Sequence, residues 1–302
     1  MVAAIMAGAP VAEAVLEDVS LRVAKLARSG RSVGLATVLV GDDPASAGYV
    51  AKKHEACEKV GIVSIDVRID ASQRQEDLLH AIERLNGDDS VDGYIVQHPV
   101  PAGFDFNQAM SVMDPAKDVD GLHPTNLGLL ALGEAGSPRP CTPLGIQAML
   151  SHYQIPVAGR RLVIVGRGPT LGRPLSMLMS LKEPGANAAV TVVHTGVADW
   201  QELTRAADIV VGAAGVANMI TPDAVRRGSV VIGGGLTWQG RKAFSDVDES
   251  CAEVAEWITP RLGGVGVTTV AMLLRNTVAA AELRRGIYSG RIHNERQAPR
   301  EP

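Results

Sequence analysis

The sequence predicts an α/β fold in two units, the second a Rossmann-like, doubly wound sheet. Three observations carry that expectation. Short apolar runs alternate with helical patterns along most of the chain, as in parallel strands joined by helices. A glycine loop, Gly166-Arg-Gly-Pro-Thr-Leu-Gly172, stands between a predicted strand and a predicted helix. A stretch broken by Pro99, Pro101, Pro115, Pro124, Pro138, Pro140 and Pro143 separates two α/β series.

Val11, Ala14, Val15 and Leu21 mark one face of an N-terminal helix. Residues 33–40 are almost wholly apolar and read as a buried strand. A helix over 45–60 is stopped by Gly61, an alternating strand covers 62–69, a helix 76–86 and a short strand 93–97. Residues 98–143 read as loops, with Lys117 and Asp118 expected to be solvated. The second series has a helix at 143–153, a strand at 161–165 and the glycine loop. It continues with a helix at 174–181, a strand at 189–194, a helix at 199–206 and strands at 208–212 and 229–232. A last helix spans about 268–284, and the polar tail beyond Gly286 is expected to be mobile.

The 302 residues are 46% hydrophobic and 21% charged, enough to build a core without a metal or disulfide staple. A net charge of -4 argues against a nucleic-acid partner. Cys57, Cys141 and Cys251 are widely spaced with no Cys-x-x-Cys, and His54, His98 and His123 lack metal-ligand spacing, so no metal is expected. No Lys or Arg precedes Arg22, unlike a secretory leader. The longest uncharged stretch, 140–159, is interrupted by Pro140, Pro143 and Pro156 and is a poor membrane span. A cytoplasmic protein without a membrane partner is expected.

The glycine loop follows a strand and opens a helix, where bare backbone and free N–H groups suit a pyrophosphate. Gly166, Arg167 and Gly168 are the candidate contacts, although the Gly-x-Gly-x-x-x-Gly spacing is one residue longer than the usual fingerprint. The end of the next predicted strand reads Val193-His-Thr-Gly196, without the carboxylate that binds an NAD ribose. Arg167 and Thr195 suit a 2′-phosphate instead, so NADP is the expected cofactor; Asp199 stands nearby as the counter-argument.

Tyr49 and Lys53 lie four residues apart on the predicted 45–60 helix, hence on one face. A Tyr-x-x-x-Lys pair also marks short-chain dehydrogenases, but there the glycine loop comes first; here it follows by more than a hundred residues. The wider series is more specific. It comprises Gly41-Asp-Asp-Pro-Ala-Ser46, Tyr49-Val-Ala-Lys-Lys53, Val96-Gln-His-Pro-Val-Pro101 and Pro115-Ala-Lys-Asp-Val-Asp120-Gly. Pro140-Cys-Thr-Pro-Leu-Gly145, the glycine loop and Gly263-Gly-Val-Gly266 complete it. In this order it resembles the bifunctional methylenetetrahydrofolate dehydrogenase/methenyltetrahydrofolate cyclohydrolase family over nearly the whole chain.

The resemblance implies NADP-dependent oxidation of 5,10-methylenetetrahydrofolate, then hydrolysis of the methenyl product to 10-formyltetrahydrofolate. It implies Lys53 as the proton-accepting group, Gln97 as its orienter, Tyr49 stacking on the folate and Asp120 bonding the pterin. Ser46 would support the site, Gly263 and Gly264 would line the folate-side loop, and Leu236 would meet the nicotinamide through its main chain. It also implies a homodimer. The expected layout is a folate-site domain over 1–140, to which the C-terminal helix, 274–302, returns, and an NADP domain over 141–273. The departures lie at His98, Gly233-Gly-Gly235, Ser245, Leu262 and Val267. The altered 233–235 segment keeps open a cyclohydrolase-only enzyme; the other alternative is a non-catalytic folate- or nucleotide-binding protein on the same scaffold, against which the retained Lys53 speaks.

Overall fold

A computed structural model describes residues 2–240 and 242–284. The chain begins with β1 (Ala4–Ile5), α1 (Ala9–Arg28), β2 (Gly34–Val40), α2 (Pro44–Val60), β3 (Val63–Ile69), α3 (Gln75–Gly87) and β4 (Gly93–Val96). Then come α4 (Phe106–Val112), α5 (Pro124–Leu132), α6 (Cys141–His152), β5 (Arg161–Val165), α7 (Gly172–Ser180), β6 (Ala189–Val193), α8 (Trp200–Ala206) and β7 (Ile209–Gly212). Strands β8 (Val230–Gly233), β9 (Leu236–Gln239), β10 (Lys242–Ser245) and β11 (Trp257–Ile258) precede α9 (Val265–Arg284).

The first sheet has the order β3-β2-β4, all parallel, with Leu35 paired to both Ser64 and Gly93. β2 is central and buried along its whole length, as its unbroken apolar run requires. Alternate residues serve two cores. Leu35 and Ile95 join the apolar faces of α1, α2 and α9. Ala36, Val38, Val40, Tyr94 and Val96 pack with α3 and α4. Both faces of this sheet are therefore covered by helices.

The second sheet is parallel throughout, in the order β1-β11-β8-β7-β5-β6. Leu162, Ile164, Ile209, Val211 and Ile232 face one core, and Val163, Val165, Val210 and Val231 the other. β5 lies between β6 and β7, so the chain direction across the sheet reverses there. Open α/β sheets bind ligands at the carboxyl ends of the strands beside such a switch.

Several elements depart from the sequence expectation. β1 pairs with β11 in the second sheet, although it lies at the start of the chain. α4 and α5 occupy the stretch expected to be loops, because Asp105 and His123 supply N-cap acceptors that the proline count obscures. α9 starts at Val265, before the expected position, and β9 pairs antiparallel with β10 as a hairpin. The tail beyond Gly286, and the part of the expected 274–302 helix after Arg284, lie outside the described residues.

Lys117 and Asp118 correct the expectation of a solvated loop: they are 1% and 0% exposed. Lys117 Nζ donates to the carbonyls of Leu85 and Asp88, both at 2.7 Å, at the end of α3. A helix C-terminus leaves such acceptors free and favours a cation. Asp118 accepts from the amides of Gly121 (3.0 Å) and His123 (2.8 Å) and from Asn126 Nδ2 (2.8 Å). Its carboxylate thus fixes the turn that presents Asp120.

α9 packs between α1 and α6. A Cβ on Gly145 would lie 2.5 Å from Thr268 Oγ1, so the glycine permits the close α6–α9 crossing. Arg22 of α1 donates to both oxygens of Glu282, at 3.1 and 2.7 Å. Glu282 is 7% exposed. Glu282→Ala should therefore destabilise the chain by about 1–3 kcal/mol, measured as a lower denaturant midpoint.

Candidate active site

Asp43 caps α2, accepting from the Ser46 amide at 2.8 Å, and Pro44 stands in the first turn. This fixes the helix start, and with it the inward face formed by Ser46, Val50, Lys53, Cys57 and Val60. Lys53 is 8% exposed, and its Nζ donates to Gln97 Oε1 at 2.8 Å. Gln97 sits just past β4, its amide bonded to Val38 O at 2.8 Å and its Nε2 donating to His98 O at 2.8 Å. The side-chain oxygen is thus turned toward the amine.

Burial holds the Lys53 ammonium below the usual lysine range, with the Asp120 charge opposing that shift. Asp120 is half-buried; desolvation raises its carboxyl above the usual range and Lys53 opposes it. Cys141, the first residue of α6, donates its amide to Asp120 O at 3.2 Å. Its buried thiol, held well above the usual thiol range by desolvation, stays protonated. The start of the second α/β series therefore closes over the Lys53–Asp120 pair.

Tyr49 stands one turn before Lys53 and is half-buried, which raises its phenol above the usual range. A Cβ on Gly266 would lie 3.0 Å from the Tyr49 hydroxyl, so the start of α9 meets α2 across the site. The loop before α9 is held from the other side: Gly8 N donates to Gly263 O at 2.7 Å, and a Cβ on Gly8 would lie 2.1 Å from Gly264 O. Gly263 has φ +76°, a left-handed conformation that favours glycine. Lys53, Gln97, Asp120, Tyr49 and Ser46 share this region. His98 turns aside, its ring edge-on to Phe106 with centroids 4.8 Å apart.

Gly166 follows β5 with φ +126°, and a Cβ there would lie 2.2 Å from Ala213 O, just past β7. Gly172 opens α7 so tightly that a Cβ would lie 2.3 Å from Gly166 O. Gly168 has nothing within 4 Å of its Cβ position. Two glycines close the turn at the strand switch and the third leaves open backbone, which fits a pyrophosphate. Arg167 and Thr195 are exposed at the ends of β5 and β6, available to a charged ribose substituent. Leu236 is half-buried at the start of β9.

The glycine run 233–235 is filled by its neighbours. A Cβ on Gly233 would lie 2.2 Å from Ser245 Oγ, and one on Gly235 would lie 2.2 Å from Asp246 Oδ2. Sequence reasoning missed Asp246, which is fully buried and accepts from the amides of Ala214, Gly215 and Val216. The signal available was a run of three glycines shortly ahead of the Ser245-Asp246 pair.

A parallel dinucleotide-type sheet joined to a second α/β unit that holds a buried amine beside a half-buried carboxylate fits an enzyme of the nicotinamide-dependent class. The family model for the tetrahydrofolate dehydrogenase/cyclohydrolase catalytic domain matches residues 6–120, and that for the family's NAD(P)-binding domain matches residues 140–285. The chain belongs to the tetrahydrofolate dehydrogenase/cyclohydrolase family. It is 59% identical over 284 residues to the bifunctional protein FolD of Syntrophotalea carbinolica, covering 94% of this chain and 98% of the relative. The crystal structure of the bifunctional FolD enzyme from Campylobacter jejuni superposes with a TM-score of 0.88 at 37% identity, covering 93% of this chain and 99% of that one. The Trypanosoma brucei methylenetetrahydrofolate dehydrogenase-cyclohydrolase, solved with NADP cofactor and an inhibitor, also gives 0.88, at 33% identity over 96% of this chain and 100% of that one.

Proposed function

We propose that this chain oxidises 5,10-methylenetetrahydrofolate with NADP and hydrolyses the methenyl product to 10-formyltetrahydrofolate. Family membership supports the two activities, and the Campylobacter jejuni FolD enzyme is described as a methylenetetrahydrofolate dehydrogenase/cyclohydrolase. The observation that carries the site assignment is the buried Lys53 amine, bonded to Gln97 and facing Asp120.

Gly166, Arg167 and Gly168 would hold the NADP phosphates, with Thr195 and Arg167 toward the 2′-phosphate and the main chain of Leu236 toward the nicotinamide. Bound NADP supplies the hydride acceptor. Oxidation of the methylene bridge leaves a delocalised cation, so this chain's part in that step is positioning. Tyr49 would stack on the folate, Asp120 would accept from the pterin's N–H and amino edge, and Ser46, Gly263 and Gly264 would shape the wall around it.

Hydrolysis needs a proton acceptor. Water adds to the methenyl carbon, and Lys53 Nζ takes one of its protons. The bond from that carbon to N5 then breaks as the new hydroxyl gives up its proton and becomes the formyl carbonyl; N5 gains a proton in exchange, the formyl group stays on N10, and one proton is released overall. Gln97 fixes the amine by accepting one of its hydrogens, which leaves the lone pair of the neutral amine free to take the proton. No described helix is long and apolar enough to cross a membrane. We further propose a cytoplasmic homodimer, as the family resemblance implies.

The direct test supplies methylenetetrahydrofolate with NADP⁺ or NAD⁺ and follows reduced cofactor and formyl product. Formation of both products with NADP⁺ supports the reading; turnover with NAD⁺ alone contradicts the cofactor assignment. Asp120→Ala should raise KM for the folate by about tenfold or more, the effect of losing a charge-assisted contact. An unchanged KM and rate would remove Asp120 from the pterin.

A further inference from the structure

We propose that Asp246 is a positioning residue for the dehydrogenase step, holding the backbone wall that faces the glycine loop across the strand switch. The inference rests on the functional reading above and adds a residue to it.

Asp246 follows β10 and is 0% exposed. Its Oδ2 accepts from the amides of Ala214 (2.8 Å) and Gly215 (3.2 Å), and its Oδ1 from Val216 (2.8 Å). Three consecutive amides thus converge on one carboxylate. Burying an ionised carboxylate is costly unless its oxygens are satisfied, and here backbone donors satisfy them. Desolvation pushes this carboxyl above the usual range, against the three amides.

The segment held in this way lies beside the dinucleotide crevice. It continues directly from Ala213, whose carbonyl would stand 2.2 Å from a Cβ on Gly166. Gly215 has φ +66°, and its carbonyl accepts from Thr237 Oγ1 at 2.7 Å, which ties the segment to β9 just past Leu236. The wall is therefore gripped from two sides, by Asp246 and by Thr237.

Neighbouring glycines provide the room for this arrangement. A Cβ on Gly212 would lie 2.6 Å from the Asp246 Cβ, and one on Gly235 would lie 2.2 and 2.6 Å from its two oxygens. Gly233 leaves room for the neighbouring Ser245, whose Oγ accepts from Val247 N at 3.1 Å. Gly233 and Gly235 thus seat Ser245 and Asp246, and Gly234 lies against Leu171, so the run is packed rather than loose.

Two variants approach the contact from opposite sides. Asp246→Asn keeps the shape but turns one acceptor into a donor. Gly235→Ala places a methyl against the intact carboxylate. Each should weaken NADP binding, measured by titration calorimetry, by roughly 10- to 100-fold, the usual penalty for a small misplacement at a site. Dehydrogenase kcat/KM should fall with it. Hydrolysis of added methenyltetrahydrofolate, which needs no cofactor, should be unchanged and also reports that the chain is folded. Unchanged NADP affinity in both variants overturns the proposal, and so does an equal loss of hydrolysis, which would make Asp246 a general fold residue. Wild-type protein that fails to bind NADP would overturn the functional reading itself, so the two failures are distinguishable.

Discussion

Lys53→Met should reduce hydrolysis of methenyltetrahydrofolate by roughly 10²- to 10⁴-fold, the usual contribution of a positioned general base. Methionine fills a similar volume, so the buried face of α2 around Val50 and Cys57 keeps its packing. What is lost is the one amine bonded to Gln97 Oε1. The pH profile gives a second signature. Burial lowers the Lys53 pKa, and only the neutral amine accepts a proton. The wild-type rate should fall as pH drops through that depressed pKa and level off above it. In Lys53→Met this dependence should vanish, leaving that of the buffer reaction. A variant that hydrolyses at the wild-type rate would remove Lys53 from the chemistry.

Gly166→Val should remove the oxidation step and spare hydrolysis. Gly166 sits at φ +126°, outside the range open to a β-branched residue, and its Cβ would lie 2.2 Å from Ala213 O. The carbonyl belongs to the backbone and cannot rotate away as a side chain would. The turn must open, and with it the bed formed by Gly166, Gly168 and the start of α7. A loss of about 100-fold in dehydrogenase kcat/KM is expected, together with a destabilisation of roughly 1–3 kcal/mol from the strained backbone. Normal NADP-dependent oxidation by this variant would show that the glycine loop does not carry the cofactor.

The parallel α/β architecture was legible because its signal is local. The apolar run at 33–40 can be buried on both faces only as a central strand, and β2 is that strand. Gly166 and Gly172 were legible for the same reason: a strand, a turn and a helix start lie within one short segment. What escaped depended on contacts distant in sequence. β1 has only two residues and exists because β11, more than two hundred residues later, offers an open edge. Lys117 looked solvated because nothing nearby in sequence shows that the end of α3 would offer two carbonyls to its ammonium.

The candidate site divides in the same way. Tyr49 and Lys53 share a helix face by spacing alone, but spacing did not distinguish a buried amine from an exposed one. Resemblance supplied their roles and those of Gln97 and Asp120. The departures at 233–235 looked like a loosening of the chain because glycine in isolation adds freedom. In the fold Gly233 faces Ser245, Gly234 faces Leu171 and Gly235 faces Asp246, and these side chains take up the space. A missing side chain at one position and an added one at another compensate only in three dimensions.

If one chain joins a hydride-transfer site to a lysine that completes the hydrolysis, then Lys53→Met supplied with methylenetetrahydrofolate and NADP⁺ should separate the two steps, as identification of the folate product will show. The prediction is reduced cofactor matched by accumulating methenyltetrahydrofolate, where the wild-type chain delivers 10-formyltetrahydrofolate. Formyl product appearing as fast in the variant as in the wild type would contradict the account.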